Sequence, residues 1–374
     1  MNVLRLEGVA HGGMVVGRID GKVIFVTGGL PGELVEVEVT ERGKRFDRGV
    51  VVRVLEAAPG RVEPGCPVAG ECGGCDWQHA DAATQRELKR AVVAEQLAHL
   101  AGLDWQGEVE EVTPRLGWRT RMRYAVEAGR VGLRGRRSRR VVPLPEQGCQ
   151  VALGPSPLEL QGMAPDGELS VVVSDGAVSV LAGRRVLQGP EVVHQQAGGR
   201  RYQVSAGGFW QVHPRAADTL LEAVLTGLAP RAGETALDLC CGAGLFAGGL
   251  DAAGVSVFGV ELDARAVAHA RNNVPGARFL ASSLARALPR LPGRVDLVVL
   301  DPPRRGAGAE VVNHVAGLGP RAIAHVACDP ASLGRDLGLF RERGYEPHSI
   351  RAFDLFPMTH HVECVAILQR HPRH

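Results

Sequence analysis

The sequence predicts an α/β fold class for the C-terminal part of the chain: an open, mostly parallel sheet with helices on both faces. A small β-barrel and a β-rich central segment come before it. Three observations carry this reading. From Phe209 onward, apolar strand-like runs alternate with helix-like stretches. Residues 1–56 hold five short alternating runs separated by glycine turns. Between these regions lies a cluster of cysteines inside a glycine-rich stretch. At 374 residues the chain has room for two or three domains with cores of their own.

Taken in order, Asn2–Leu6, Met14–Arg18, Lys22–Val26, Glu33–Thr40 and Arg48–Leu55 read as strands of an OB-like barrel. His11-Gly12-Gly13 and Asp20-Gly21 supply turns, and Pro59-Gly60 and Pro64-Gly65 mark a linker. Asp81 is a plausible N-cap for a helix over 81–100, with leucines at 88, 97 and 100 on it. Residues 105–205 are strand-rich and irregular. Then come Thr235–Leu239, Val255–Val260, Val295–Leu300, Ala322–Ala327 and Val362–Leu368, each a short apolar run bounded by turn signals. The expected domains are therefore 1–56, 57–205 and 206–374, with helix 81–100 free to pack on the last.

Composition narrows the class. Apolar residues make up 45% and charged residues 22% of the chain, as in a globular protein. The formal net charge of +2 hides a local excess. Arg119, Arg121, Arg123, Arg130, Arg134, Arg136, Arg137, Arg139 and Arg140 lie between Leu116 and Val141, opposed there only by Glu127. Such a block suits a polyanion, although a solvated, salt-bridged face would give the same pattern. With no signal-like segment and no apolar run approaching a membrane span of ~20 residues, the expectation is a cytoplasmic protein without a membrane partner. In a reducing compartment, eight cysteines read as ligands, catalytic groups or buried thiols.

The chemistry-bearing residues stand at predicted strand ends. Cys328 follows the run Arg321–Ala327, and Glu363 stands at the start of Val362–Leu368. A thiolate is a strong nucleophile, and a nearby carboxylate can accept a proton later in the same reaction. In Leu237-Asp238-Leu239-Cys240-Cys241-Gly242-Ala243-Gly244, a strand runs into a glycine turn where Gly242 and Gly244 let a cofactor approach the backbone. A full G-x-G-x-x-G is missing, which argues against a nicotinamide cofactor. Seventeen residues after Gly244, Glu261 ends another strand and can accept both hydroxyl hydrogens of a ribose. Strand, glycine turn and acid together favour S-adenosylmethionine. Asp301-Pro302-Pro303-Arg304 leaves the sheet where ligands bind. Cys66, Cys72 and Cys75 form C-x5-C-x2-C, and Cys149 follows. Four such thiolates suit zinc or an iron–sulfur cluster, and the single C-x2-C pair favours a 4Fe–4S cluster. Cys240, Cys241 and Cys364 read as core packing.

Together these pieces resemble the RNA uridine-C5 methyltransferases, specifically the ribosomal-RNA branch with a TRAM domain and an iron–sulfur cluster. G-V-A-H-G-G-M-V-V-G-R-I-D-G-K-V-I-F-V resembles a TRAM domain, and C-P-V-A-G-E-C-G-G-C-D-W-Q-H the cluster segment. F-W-Q-V-H-P, L-D-L-C-C-G-A-G, G-V-E-L-D, D-P-P-R-R-G, A-C-D-P-A-S-L-G-R-D and H-V-E-C follow in the family's order. The resemblance implies a Rossmann-like class I methyltransferase domain, with Cys328 as nucleophile and Glu363 as base. It also implies Gln211, Glu261 and Asp301 as cofactor contacts, and Ser283 where the family often carries Asn or Asp. Cys240, Leu245 and His213 stand where an aromatic residue, Asn and Asn are common, which bears on cofactor affinity.

The implied substrate is RNA, 23S ribosomal RNA before transfer RNA, and the implied state is a monomer with no protein partner evident. Trp118-Arg119-Thr120-Arg121 is expected to help shape the RNA face. Two other classes compete. A non-catalytic RNA-binding protein on a methyltransferase scaffold would not bind S-adenosylmethionine, and an iron–sulfur electron carrier would cycle reversibly.

Overall fold

The computed structural model describes residues 2–163 and 166–370. The N-terminal strands are Asn2–Arg5, Val15–Ile19, Lys22–Thr27, Leu34–Arg42 and Phe46–Glu56, ordered first, fourth, fifth, third, second. Glu7 N donates to Val16 O at 2.7 Å and Val16 N to Gly8 O at 2.7 Å, so the chain leaving the first strand closes on the second. Alternation in each strand places Leu4, Leu6, Val15, Ile24, Val26, Val35 and Val37 inside one core.

The central segment is an antiparallel six-stranded sheet built on Arg121–Glu127 and Gly167–Ser174. The cysteine stretch lies against its edge, where Gly73 N donates to Arg134 O at 3.0 Å and Arg136 N to Glu71 O at 3.0 Å.

The C-terminal part is an eight-stranded sheet. Its strands run in the order 278–281, 256–261, 235–239, 297–300, 322–327, 363–370, 345–354 and 109–111. The first five are mutually parallel, and 363–370 is antiparallel to both of its neighbours. Side chains alternate between faces. Leu297 and Val299 join the core under helices 216–228, 245–252 and 264–273, while Val298 and Leu300 join the core under 82–101, 308–318 and 330–341. Rossmann-like layering of this kind is the fold class expected from the alternation.

Two features depart from the division at residue 206, and a third is the packing left open for helix 81–100. Strand Val109–Glu111 pairs in parallel with Tyr345–Asp354, so the central stretch contributes to the catalytic sheet. The hairpin 192–205 packs into that sheet's core through Val193, Tyr202 and Val204. Helix Ala82–Ala101, capped by Asp81 Oδ1 accepting from Thr84 N at 2.7 Å, lies on helix Pro330–Arg341. A Cβ on Gly334 would stand 2.9 Å from Gln96 O, and one on Gly338 2.9 Å from Leu100 O. The two helices cross too closely there for any side chain larger than hydrogen. None of these contacts has a local signal, which is why periodicity did not show them.

Candidate active site

Strand ends gather on one edge of the sheet. Strand 235–239 is flanked by 256–261 and 297–300, whose connections leave in opposite directions, and a crevice opens at such a switch point. A cavity of about 1230 Å³ occupies it. Gln211, Gly242, Glu261, Ser283, Asp301, Cys328 and Glu363, far apart in sequence, all line it. Ala327 pairs with Cys364 across antiparallel strands, so continuing the register sets Cys328 opposite Glu363. Pro330 starts the helix after Cys328, and Asp329 caps it by accepting from Ser332 N at 2.8 Å.

The cofactor loop is tied to its acid. Glu261 Oε2 accepts from Gly242 N at 3.0 Å and Oε1 from Asp263 N at 2.9 Å. Each oxygen keeps a lone pair for a ligand. A Cβ on Gly242, at φ +54°, would meet nothing, and the space beside it is open to a ligand. Gly244 differs. At φ +91° it begins helix Leu245–Ala252, and its α-carbon faces Val274, Ala270 and Phe279 rather than the cavity. Its smallness serves packing of that helix.

Burial sets the electrostatics. It pushes Asp301 up to about 7, with the Glu261 charge adding to the effect, and Asp238 up to about 8. Asp238 Oδ2 accepts from Ala247 N at 2.8 Å, while Oδ1 has no partner. Glu363, 3% exposed, is raised well above its ordinary value by burial and then by Asp301. The Cys328 thiol is pushed up to about 12 by burial and by Glu363, and Arg304 opposes both shifts. Desolvation therefore favours the neutral forms of Asp238, Asp301 and Glu363. A cation bound among them would favour their ionised forms.

Residues singled out by the resemblance divide. Cys240 lines the cavity at φ +65°, which corrects its reading as core, whereas Cys241 and Cys364 are buried packing. Leu245 is buried in the helix it begins. His213 is 1% exposed and turned from the cavity, with Nε2 3.0 Å from Pro114 O and its ring stacked on Trp118. Trp118 and Arg119 do reach the cavity wall. The arginine block splits: Arg119 and Arg121 are largely desolvated, Arg136 pairs with Asp76 at 2.9 Å, and Arg140 pairs with Glu71 at 2.7 Å.

Sequence reasoning missed the supports of the loop 355–362 that leads to Glu363. Lys89, fully buried, reaches Asp354 Oδ1 at 2.5 Å and Phe356 O at 3.0 Å. Asp336 Oδ2 accepts from Ala307 N at 2.7 Å and lies 3.0 Å from His325 Nε2, and Oδ1 accepts from Gly308 N at 3.0 Å, fixing the loop after Asp301. The only signal was that Asp336 closes the quoted segment A-C-D-P-A-S-L-G-R-D.

Cys66, Cys72, Cys75 and Cys149 surround a second cavity, of about 200 Å³. Burial raises the Cys72 and Cys149 thiols and pushes Cys75 up to about 12. Among the described residues, no group of three or more His, Cys, Asp or Glu side chains is arranged to hold a single metal ion. No helix among them is long and apolar enough to cross a membrane.

Comparison with known proteins agrees with this geometry. Residues 3–59 match the TRAM domain, 236–303 a methyltransferase domain, and 293–371 the tRNA (Uracil-5-)-methyltransferase family. The chain is 46% identical to an uncharacterized RNA methyltransferase of Streptomyces avermitilis, covering 96% of each. It is 31% identical to the 23S rRNA (uracil(1939)-C(5))-methyltransferase RlmD of a Shewanella species, covering 98% of this chain and 95% of that one. Its fold matches a Pyrococcus abyssi tRNA (uracil-54, C5)-methyltransferase in complex with S-adenosyl-L-homocysteine. That match has a TM-score of 0.75 at 23% identity and covers 97% and 99% of the two chains. This chain belongs to the RNA uracil-C5 methyltransferase family.

Proposed function

We propose that the protein transfers a methyl group from S-adenosylmethionine to C5 of a uridine in RNA, with 23S ribosomal RNA the favoured substrate, and that it works in the cytoplasm. One observation carries the reading: a thiol and a carboxyl stand opposite each other across two strands, in the same cavity as the strand-end acid Glu261.

The Cys328 thiolate attacks C6 of uracil, forming a C–S bond and pushing the C5–C6 electron pair toward the C4 carbonyl. The resulting enolate makes C5 nucleophilic. S-adenosylmethionine, when bound, supplies an electrophilic methyl on a sulfonium. With the methyl on C5, Glu363 takes the C5 proton; those electrons restore the C5–C6 double bond and expel the thiolate. Gln211, Gly242, Glu261, Ser283 and Asp301 hold the cofactor, and Arg304 favours the anionic forms of Cys328 and Glu363. Because the uridine must leave its stack to reach a half-buried thiol, a single-stranded loop is the easier target.

The same reading assigns the second cavity to a 4Fe–4S cluster held by Cys66, Cys72, Cys75 and Cys149. Support comes from four thiols around one enclosed space, with Gly74 N donating to Cys72 Sγ at 3.4 Å. A cluster is wider than an ion, so its thiolates stand further apart than a single-ion site allows. Residues 1–56 then serve RNA binding and the cysteine segment cluster binding, catalysis falls to 206–374 with strand 109–111 and hairpin 192–205, and the protein acts as a monomer.

The test uses anaerobically purified protein, methyl-labelled S-adenosylmethionine, and unmodified 23S and transfer RNA transcripts. Labelled 5-methyluridine in 23S RNA, lost by at least about a thousandfold in Cys328→Ala, is expected. Label only in transfer RNA would shift the substrate, and none in either would sink the proposal.

A further inference from the structure

Asp76 stands in the wall between the two cavities and lines both. It directly follows Cys75, yet both its oxygens are used elsewhere. Oδ1 accepts from Arg136 Nη1 at 2.9 Å, and the same guanidinium donates to Cys75 O at 2.6 Å. Oδ2 accepts from His360 N at 3.0 Å and lies 2.6 Å from His360 Nδ1, across 284 residues of sequence.

The backbone adds to this clasp. Asp76 N and Trp77 N both donate to Met358 O, at 2.8 and 3.1 Å. Gln85, fully buried, accepts from Met358 N at 2.9 Å and donates to Trp77 O at 3.0 Å. Met358 itself sits at φ +68°, a left-handed conformation that a long side chain adopts only when its surroundings impose it.

The clasped turn leads straight to the catalytic groups. His360 lies against His361 with ring centroids 4.1 Å apart and the rings tilted by 45°, and His361 Nε2 lies 3.3 Å from Arg304 Nη2. Glu363 follows two residues later. Without the clasp, the turn 356–361 has a relaxed conformation available at Met358, and His360 loses the carboxylate that holds its backbone N–H and its ring.

The geometry points to Asp76 as a positioning residue: it ties the cysteine segment to the turn 356–361 and so fixes Glu363 where it can take the C5 proton. This rests on the reading of Glu363 as the base. It gives the cysteine segment a mechanical part in the reaction, separate from any role in folding.

The test uses the full chain, purified anaerobically, as wild type, Asp76→Asn, Asp76→Ala, and Asp76→Ala combined with Met358→Gly. Turnover, the KM for S-adenosylmethionine, iron content and covalent protein–RNA species on denaturing gels are measured together. In Asp76→Ala, turnover is expected to fall roughly tenfold to a hundredfold, the range a displaced catalytic group gives. The KM stays within about twofold, because the cofactor contacts lie elsewhere. A methylated covalent adduct accumulates, since attack and transfer precede the step that needs the base. Asp76→Asn keeps one acceptor oxygen, enough for His360 N or for Arg136 but not for both, and recovers part of the turnover. Adding Met358→Gly, which adopts the left-handed turn without strain, also restores part of it.

Unchanged turnover in Asp76→Ala, or a fall without adduct, overturns the proposal. So does a fall that tracks iron loss and is not relieved by Met358→Gly. A wild-type protein that makes no 5-methyluridine would instead refute the proposed function itself.

Discussion

The two cavities are built on one principle with different materials. In both, burial holds ionisable groups neutral: carboxyls and one thiol in the larger cavity, thiols in the smaller. A cationic ligand reverses that preference in either place. The larger cavity, however, is formed by ends of buried parallel strands whose positions the sheet fixes whether or not a ligand is present. The smaller is formed by loops on a sheet edge, joined to it by few hydrogen bonds. Sheet strands thus set the geometry of one, and loop contacts set that of the other.

The largest effect should come from breaking the second site. Cys72 forms an isolated bridge with Gly135, and its side chain turns into the small cavity. Cys72→Ser should lose the visible absorbance of a cluster and several degrees or more of thermal stability, because metal-binding energy in such segments is folding energy. Limited proteolysis is expected to cut first within 57–150 and spare the sheet strands from 235 onward. A variant with wild-type stability and activity would show that the loops stand without a ligand and that the contrast between the cavities is false.

That contrast also explains what sequence reading could reach. Cys328, Glu363, Glu261 and Asp301 were legible because each is anchored to a strand end, and strand ends follow from short apolar runs. Spacing grouped Cys66, Cys72 and Cys75, and folding brings Cys149 to the same cavity. The ties Asp76–His360, Lys89–Asp354 and His11–Asp329 were not legible, since each joins elements more than 260 residues apart. The arginine block left two readings open for a related reason, which the pairing of Arg136 and Arg140 shows. Its acidic partners, Asp76 and Glu71, lie in a segment that only folding brings near. Gly244 shows a subtler limit, since a glycine in a turn reads alike whether it admits a ligand or a neighbouring helix.

The rigid cavity can be tested through its protons. Asp301, pushed up to about 7 by burial and then by Glu261, is largely protonated below that pH in the free protein. A sulfonium favours its ionised form, so binding there must release a proton once the pH drops below about 7. Affinity for S-adenosylmethionine should then weaken up to about tenfold per pH unit on the acid side. S-adenosylhomocysteine, uncharged at sulfur, should show a shallower slope. Calorimetry with both ligands from about pH 5.5 to about pH 8 separates the cases. Parallel slopes for the two ligands would mean that the buried acids do not sense the sulfonium.

The smallest effect lies at the barrel, which touches both regions through one loop. Gly13 O accepts from Trp77 Nε1 at 3.0 Å on the cysteine side, and His11 Nε2 lies 2.7 Å from Asp329 Oδ2 beside the nucleophile. The hydrogen bond to Asp329 raises the His11 pKa above 6.5 against burial, with Glu95 assisting and Arg335 opposing. Burial pushes Asp329 upward, yet His11 and the Ser332 N–H outweigh it and hold the carboxyl below 3.8. A raised histidine contributes stability that is complete below its unfolded pKa and lost as pH rises through the folded one. A lowered carboxyl loses its share as pH falls through the folded value. The pair therefore works from the carboxylate range to somewhat above 6.5. With His11 about 42% exposed, screening limits it to roughly 0.5 kcal/mol. His11→Asn should lower the melting temperature by about 1 °C near pH 6 and by nothing measurable near pH 9. A deficit of equal size at both values would assign His11 to packing, and the barrel would then be held to the catalytic region by shape rather than by charge.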